Sequence, residues 1–280
     1  MPTLNPRHEE GLFYLLAVAG GLVSAIGLAA ALYMEHAGHV VTGMNNQIVW
    51  GLPHVFAIFL IVAASGVLNV ASIGSVFGKV VYKSRAPLSG LLSLAMLSGG
   101  LAVIMLDLGR ADRLMVAATH FNPTSVFGWN VILYPGMYAI VAIYLWTLME
   151  RRMNPYSKAA GMATFIWRIV LTTGTGSIFA FLVARQAYGT ALLVILGAYC
   201  QLYVFIIGGQ AFPLDIFPGY DVKSSFFDGA VDHYTASLPE ILLSLGGLGI
   251  AFTMTIIGVR ALHFLPHDDS AKLEAAKCET

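Results

Sequence analysis

Apolar runs follow one another from Gly11 to Leu265, and the charged residues fall almost wholly in the gaps between them. Each run has the length that a bilayer core demands, about 20 residues at a helical rise of about 1.5 Å. With 58% of its residues hydrophobic and 11% charged, the chain has too little polar surface for an ordinary soluble domain. Lipid is therefore its solvent, and that changes which residues count as unusual. A lone Asp or His is ordinary on a wet surface. In hydrocarbon it is expensive, and it is kept for a reason.

The runs predict seven helical spans, over 11–34, 51–78, 88–108, 125–149, 159–184, 190–212 and 238–262. None alternates in the manner of a barrel strand. The expected fold is an all-α polytopic transmembrane helix bundle, with 1–280 as one integral membrane domain and 213–237 as a long extramembrane loop. The formal net charge is zero, so no basic face argues for nucleic acid. Cys200 lies inside an apolar run and Cys278 in the polar tail, a pattern that fits neither a disulfide framework nor a metal motif. The first run follows acidic Glu9 and Glu10 and lacks a small-residue cleavage site, so it reads as a retained helix rather than a signal peptide.

Positive charge sets orientation. With the N-terminus on side A, strict alternation over seven spans places eight Lys or Arg on side A and six on side B. The bias is strong in the first half, where Lys79, Lys83, Arg85, Arg151, Arg152 and Lys158 all fall on side A. Side A therefore reads as cytoplasmic. The second half fits poorly. One change of parity after Arg185 moves the tail to side A and gives ten against four, so the arrangement near 185–193 is expected to depart from simple alternation.

Three polar places stand out within the spans. In Trp50-Gly51-Leu52-Pro53-His54, the proline suits an early helical position, which puts His54 in the first turn at side B. In Leu106-Asp107-Leu108-Gly109-Arg110, the carboxylate emerges from apolar sequence, also on side B, with Arg110 near enough to offset its charge. Ser125-Val126-Phe127-Gly128-Trp129-Asn130 opens the fourth span on the same side. Asn130 and Tyr134 lie four apart on one helix face. Each place has a bland reading: an interfacial His, an Asp–Arg helix end, an aromatic anchor. Together, a His, a carboxylate, an amide and a phenol at one membrane face suit the head of a two-carbonyl ring. They also suit the movement of its protons. A quinone needs such polar groups beside an apolar slot for its tail.

Further in, Arg168 lies in the fifth span ahead of a Thr- and Gly-rich stretch, and Asn69 in the second. They form part of a polar route from side A, or serve close packing with a snorkelling Arg. Glu35, His36 and His39 cluster in the first side-B loop, and His120 lies in another. They lack the further ligands of a metal site. The spans hold no deep pair of histidines, which disfavours haem.

The run from Trp50-Gly51-Leu52-Pro53-His54 through Leu106-Asp107-Leu108-Gly109-Arg110 to Phe127-Gly128-Trp129-Asn130 resembles the NrfD/PsrC family of quinone-interacting membrane subunits. Gly208-Gly209-Gln210-Ala211-Phe212-Pro213 and Phe217-Pro218-Gly219-Tyr220 look most like its DsrP/HybB-type branch. The resemblance implies a subunit of eight to ten helices, without haem or an iron–sulfur cluster of its own. It implies menaquinone or ubiquinone bound near the periplasmic face of a bacterial inner membrane, beside a docked ferredoxin-type iron–sulfur subunit and other subunits of a redox complex. The branch suggests sulfur-compound metabolism. Carried over to this chain, His54 and Asp107 match positions near the quinone head, with Arg110 beside them and Trp129, Asn130 and Tyr134 as weaker matches. Against the family pattern, about three spans are absent where Arg185 and its neighbours run into Leu193. The reading is a quinone-binding, electron-transferring membrane subunit. The rivals are a transporter or channel lined by Arg168 and the Thr-rich span, and a purely structural anchor.

Overall fold

The computed structural model describes residues 6–78, 84–109, 114–120, 122, 125–178, 194–212 and 231–262. Its helices are α1 (Pro6–Ala37), α2 (Leu52–Ser75), α3 (Ala86–Leu106), α4 (Leu114–Thr119), α5 (Val126–Met149), α6 (Ser157–Ile178), α7 (Val194–Tyr203), α8 (Gly209–Ala211) and α9 (Leu238–Leu262). A π-helical turn, Val204–Gly208, joins α7 to α8. No strand occurs among the described residues. Five segments there are long and apolar enough to cross a membrane: Glu10–Ala37, Leu52–Ser75, Ala86–Leu106, Gly128–Met149 and Leu238–Leu262. α6 and the α7–α8 unit cover the described parts of the two remaining predicted spans. The short α4 is an addition to the seven; its six residues lie in the connection between the third and fourth spans.

Helix starts follow local chemistry. α2 and α3 each carry proline in the first turn, where a missing N–H costs nothing. Pro135 lies inside α5, where it removes a backbone donor and marks a point of bending.

Side-chain contacts fix the direction of each helix. The guanidinium of Arg260, at the end of α9, sits 4.3 Å from the ring centre of Phe13 at the start of α1. These two helices are therefore antiparallel, and Arg260 belongs to side A. Strict alternation over seven spans places Arg260 on side B, and the structure corrects it. The cause lies in the fifth and sixth spans. Arg168 of α6 meets Ser65 and Asn69 of α2, so α6 runs against α2. Tyr199 of α7 meets Phe56 at 4.9 Å, and Gln210 of α8 meets Trp50, so this unit also runs against α2. α6 and α7–α8 thus run in the same sense, and the one change of parity that the charges required falls between Ile178 and Val194. Residues 179–193, with Arg185, lie outside the described residues, as do Lys79, Lys83, residues 213–230 with Lys223, Lys272, Lys277 and Cys278.

Small residues set the packing, as expected where hydrophobicity gives helices no reason to prefer one another over lipid. α1 crosses α9 at Gly27 and Gly246, where a Cβ on Gly246 would stand 2.6 Å from the Cα of Gly27. α9 then packs on α3 through Gly247 and Gly99, and α3 on α2 through Gly100. α2 and α3 are the centre of the bundle, with α1 and α9 on one flank and α5 and α6 on the other. The main core includes Leu68, Leu97, Met137, Tyr144, Leu171 and Ile206, all nearly sealed. The outer face of α1 stays bare, with Leu15 66% and Leu22 60% exposed, as suits a lipid-facing stripe.

Gly246→Leu is expected to force α1 and α9 apart and to cost about 1–3 kcal/mol of stability, the usual range for overpacking. Gly21→Leu, where a Cβ would meet nothing within 4 Å, is expected to change little. Thermal unfolding of both variants in detergent checks the contrast.

Candidate functional site

The site is built on the segment between α1 and α2. The chain leaves α1 at Gly38 with φ +80°, makes a 3-10 turn at His39–Val41, and then runs irregularly to Gly51. Irregular backbone needs outside partners for its N–H and C=O groups. Asn45 supplies some locally, its Oδ1 accepting from the N–H of Gln47 at 2.9 Å and of Ile48 at 2.8 Å. The rest come from the second half of the chain. Gln210 Oε1 accepts from the N–H of Val49 at 2.9 Å and Trp50 at 3.0 Å, while its Nε2 donates to the carbonyl of Trp50 at 3.1 Å. Gln210 stands just past the π turn, a break in regular winding of the kind often found at functional sites. Asn45 Nδ2 donates to Asp232 Oδ2 at 2.6 Å.

Glu240 closes the arrangement. It is wholly shielded from solvent. Its Oε2 accepts from the N–H of Gly43 at 2.7 Å and of Ser237 at 2.8 Å, and its Oε1 from the hydroxyl of Tyr234 at 2.6 Å. The Ser237 contact is a capping box: Glu three residues into α9 reaches back to the residue before the helix. Tyr234 in turn accepts from the N–H of Leu52, the first residue of α2, at 2.7 Å. The carboxylate therefore lies at the N-terminal ends of α9 and α2 together, where both helix dipoles favour negative charge. Burial, reinforced by the hydrogen bond to Glu240, pushes the Tyr234 phenol above its ordinary pKa and keeps it a donor.

Two turns of the bundle centre meet beside this clasp. His54, in the first turn of α2, places Nδ1 3.1 Å from Oδ2 of Asp107, the C-cap of α3. The Asp107 side chain is fully shielded, and that of His54 is 22% exposed. The contact has ion-pair distance without hydrogen-bond alignment, so both carboxylate oxygens keep free acceptor capacity among the described residues. Asp107 at a helix C-terminus opposes its own helix dipole. The neighbouring N-terminus of α2 and the imidazole offset that. Trp50 stacks on His54 with ring centres 6.3 Å apart.

Next to the pair, the chain turns at Gly109 with φ +65°. A Cβ there would be strained, and it would lie 2.7 Å from Nε2 of His39, whose ring packs on this glycine. His39, Met44, Asn45, Val49, His54 and Asp107 line a cavity of about 380 Å³. Beneath this end of the bundle, a groove of about 230 Å³ between α1, α3 and α9 is lined by Leu28, Val103, Leu106, Leu243 and Ile250 with several small residues, and is almost wholly apolar.

The structure thus brings together His54 and Asp107. Arg110, Asp112 and Arg113 lie outside the described residues. Asn130 and Tyr134 converge instead on Thr175 of α6, each at 3.4 Å, and do not line the His54–Asp107 cavity. Trp129 is 48% exposed, like an interface aromatic. Arg168 donates to Asn69 Oδ1 and to the carbonyl of Ser65, and stacks 4.7 Å from the ring centre of Phe165. It is the deeper polar contact suggested by the spacing. His39 falls in sequence with Glu35 and His36, yet no cluster of three metal-ligating side chains forms among the described residues. Sequence reasoning passes over Glu240 and Gln210. The signal for Glu240 is present, as the capping box Ser237-Leu238-Pro239-Glu240.

The family model described as "Polysulphide reductase, NrfD" matches residues 40–207, which contain both His54 and Asp107. The chain belongs to the NrfD family. Among NrfD-like relatives it is 29% identical over 180 residues to the "Hdr-like menaquinol oxidoreductase integral membrane subunit" of Archaeoglobus fulgidus, covering 64% of this chain and 45% of the relative. It is also 29% identical over 168 residues to a dimethyl sulfoxide reductase membrane subunit of Halobacterium salinarum, covering 59% of this chain and 37% of the relative. The chain spans less than half the length of either relative. No solved structure matches it. Glu240 lies outside the NrfD match, so the clasp joins the family segment to a helix beyond it.

Tyr234→Phe in this NrfD chain is expected to orphan the N–H of Leu52 and to remove one donor from Glu240, at a cost of about 1–3 kcal/mol. Hydrogen exchange should report it as faster opening of the 39–54 backbone, with the far end of α2 unchanged.

Proposed function

We propose that this protein is a membrane subunit of a respiratory quinone oxidoreductase complex, and that the His54–Asp107 cavity binds the quinone or quinol head. The observation that carries the reading is the contact between a shielded carboxylate and a part-exposed imidazole, at the mouth of a cavity and close to an apolar groove, inside the NrfD-matched segment. The name of the Archaeoglobus relative favours menaquinol over ubiquinol. The residues fit such a ligand. The head meets acceptor and donor atoms in the cavity, and the groove that includes Leu106, next to Asp107, has the character an isoprenoid tail needs.

A quinol supplies two electrons and two protons when oxidised. His54 has Nδ1 turned to Asp107, so Nε2 is the atom that takes a proton. Asp107 orients the imidazole and stabilises the cation that forms, and its shielding strengthens that interaction. Trp50, stacked on His54, limits its motion. Electrons pass to an iron–sulfur partner of ferredoxin type, docked on side B. Side B is periplasmic and the N-terminus cytoplasmic, a sidedness that the charge tally supports. The complex acts in sulfur-compound metabolism. Arg168 with Asn69 begins a polar route to this site from side A.

In the purified native complex, Asp107→Asn and His54→Ala are each expected to lower quinol-driven electron transfer by about 100-fold or more, in keeping with loss of a positioned proton acceptor. The helical circular-dichroism melt should stay that of the parent. Parental turnover in both variants overturns the reading.

A further inference from the structure

We propose that His39 is a second proton-accepting residue of this cavity, standing between the His54–Asp107 pair and water on side B. The proposal rests on the quinol reading above. A neutral imidazole accepts one proton, and a quinol releases two. With Asp107 engaged as the counter-charge to His54, a second acceptor is required within the same cavity. Among its described lining residues, the titratable side chains are His39, His54 and Asp107.

The position of His39 suits that task. It opens the 3-10 turn after α1, and its neighbour Val40 is 87% exposed, so the turn stands at the aqueous rim. Its ring reaches inward over Gly109, two residues past Asp107. Its backbone is held, since Thr42 Oγ1 donates to its carbonyl at 2.6 Å and Glu240 anchors Gly43 just beyond. Its side chain is not: Nδ1 is shielded and lacks a hydrogen-bond partner among the described residues. A shielded ring nitrogen without a partner is unusual, and it suits a ligand. The glycine of the Leu106-Asp107-Leu108-Gly109 turn then has a second purpose besides its positive φ, since any side chain there would evict this ring.

In the oxidation, two O–H bonds of the quinol break; one proton goes to Nε2 of His54 and the other to the imidazole of His39. The two electrons leave singly to the iron–sulfur acceptor of the partner. Each imidazolium then returns its proton to water on side B.

The test uses the native complex and 2-heptyl-4-hydroxyquinoline N-oxide, a redox-inert quinol analogue. Diethyl pyrocarbonate labelling read by mass spectrometry should modify His39 in the free complex and spare it when the analogue is bound. His39→Ala should keep the analogue's affinity and lose about tenfold to a hundredfold in turnover, the usual worth of one proton acceptor. Added imidazole should restore much of that loss, whereas His39→Gln, with no cavity for imidazole, should stay slow. If the analogue fails to bind the unaltered complex, the quinol reading itself falls. If it binds but fails to protect His39, or His39→Ala turns over normally or is not rescued, only the His39 assignment falls.

Discussion

A single carboxylate, that of Glu240, is the fixed point of the side-B end. Burying an isolated charge is costly, and a wholly shielded Glu survives only where its lone pairs are met. Here two backbone N–H groups and one phenol meet them, and two helix N-termini add their partial positive charge. The same bonds that make the charge tolerable tie together segments almost 200 residues apart in sequence. Gly43 is held to α9, and Leu52 is held to Tyr234. The path of the intervening segment, and with it the placement of His39, Trp50 and His54, follows from that.

The pair at the centre obeys the same logic with the signs arranged differently. Asp107 ends one helix and His54 begins another, so each sits where its own helix disfavours its charge. They are stable as neighbours and not as individuals. That interdependence is what makes the site responsive: a proton gained or lost at the imidazole changes the balance for the carboxylate as well.

Much of the bundle is legible in the sequence because lipid imposes so strict a length and polarity on each span. The boundaries of 51–78, 88–108 and 125–149 lie within a few residues of α2, α3 and α5, and 238–262 coincides with α9. The meeting of His54 with Asp107 is legible too, since both fall at side-B ends of consecutive spans, which pack together. Hydropathy does not encode the course of an irregular segment, so the descent of His39 onto Gly109 and the reach of Gln210 to Trp50 are invisible to it. Glu240 resembles any acid in a helix's first turn until its partners are seen. Asn130 and Tyr134 share a face, as their spacing requires, but spacing alone does not say which neighbour that face meets; it meets Thr175 of α6. The charge tally does carry the sense of the later helices. Its imbalance is a true sign that α6 and α7–α8 run alike.

The clasp also bears on how the molecule is made. Membrane helices enter the bilayer in the order of their synthesis, and α9 follows all the other described helices in the chain. Until it arrives, Gly43 and Leu52 face no carboxylate and no phenol, and the segment bearing His39 has nothing to hold it. The nascent chain therefore carries an unfinished pocket while α1 to α8 are laid down. A redox ligand is received only after α9 has locked the loop behind α1, so that partly built copies stay inert.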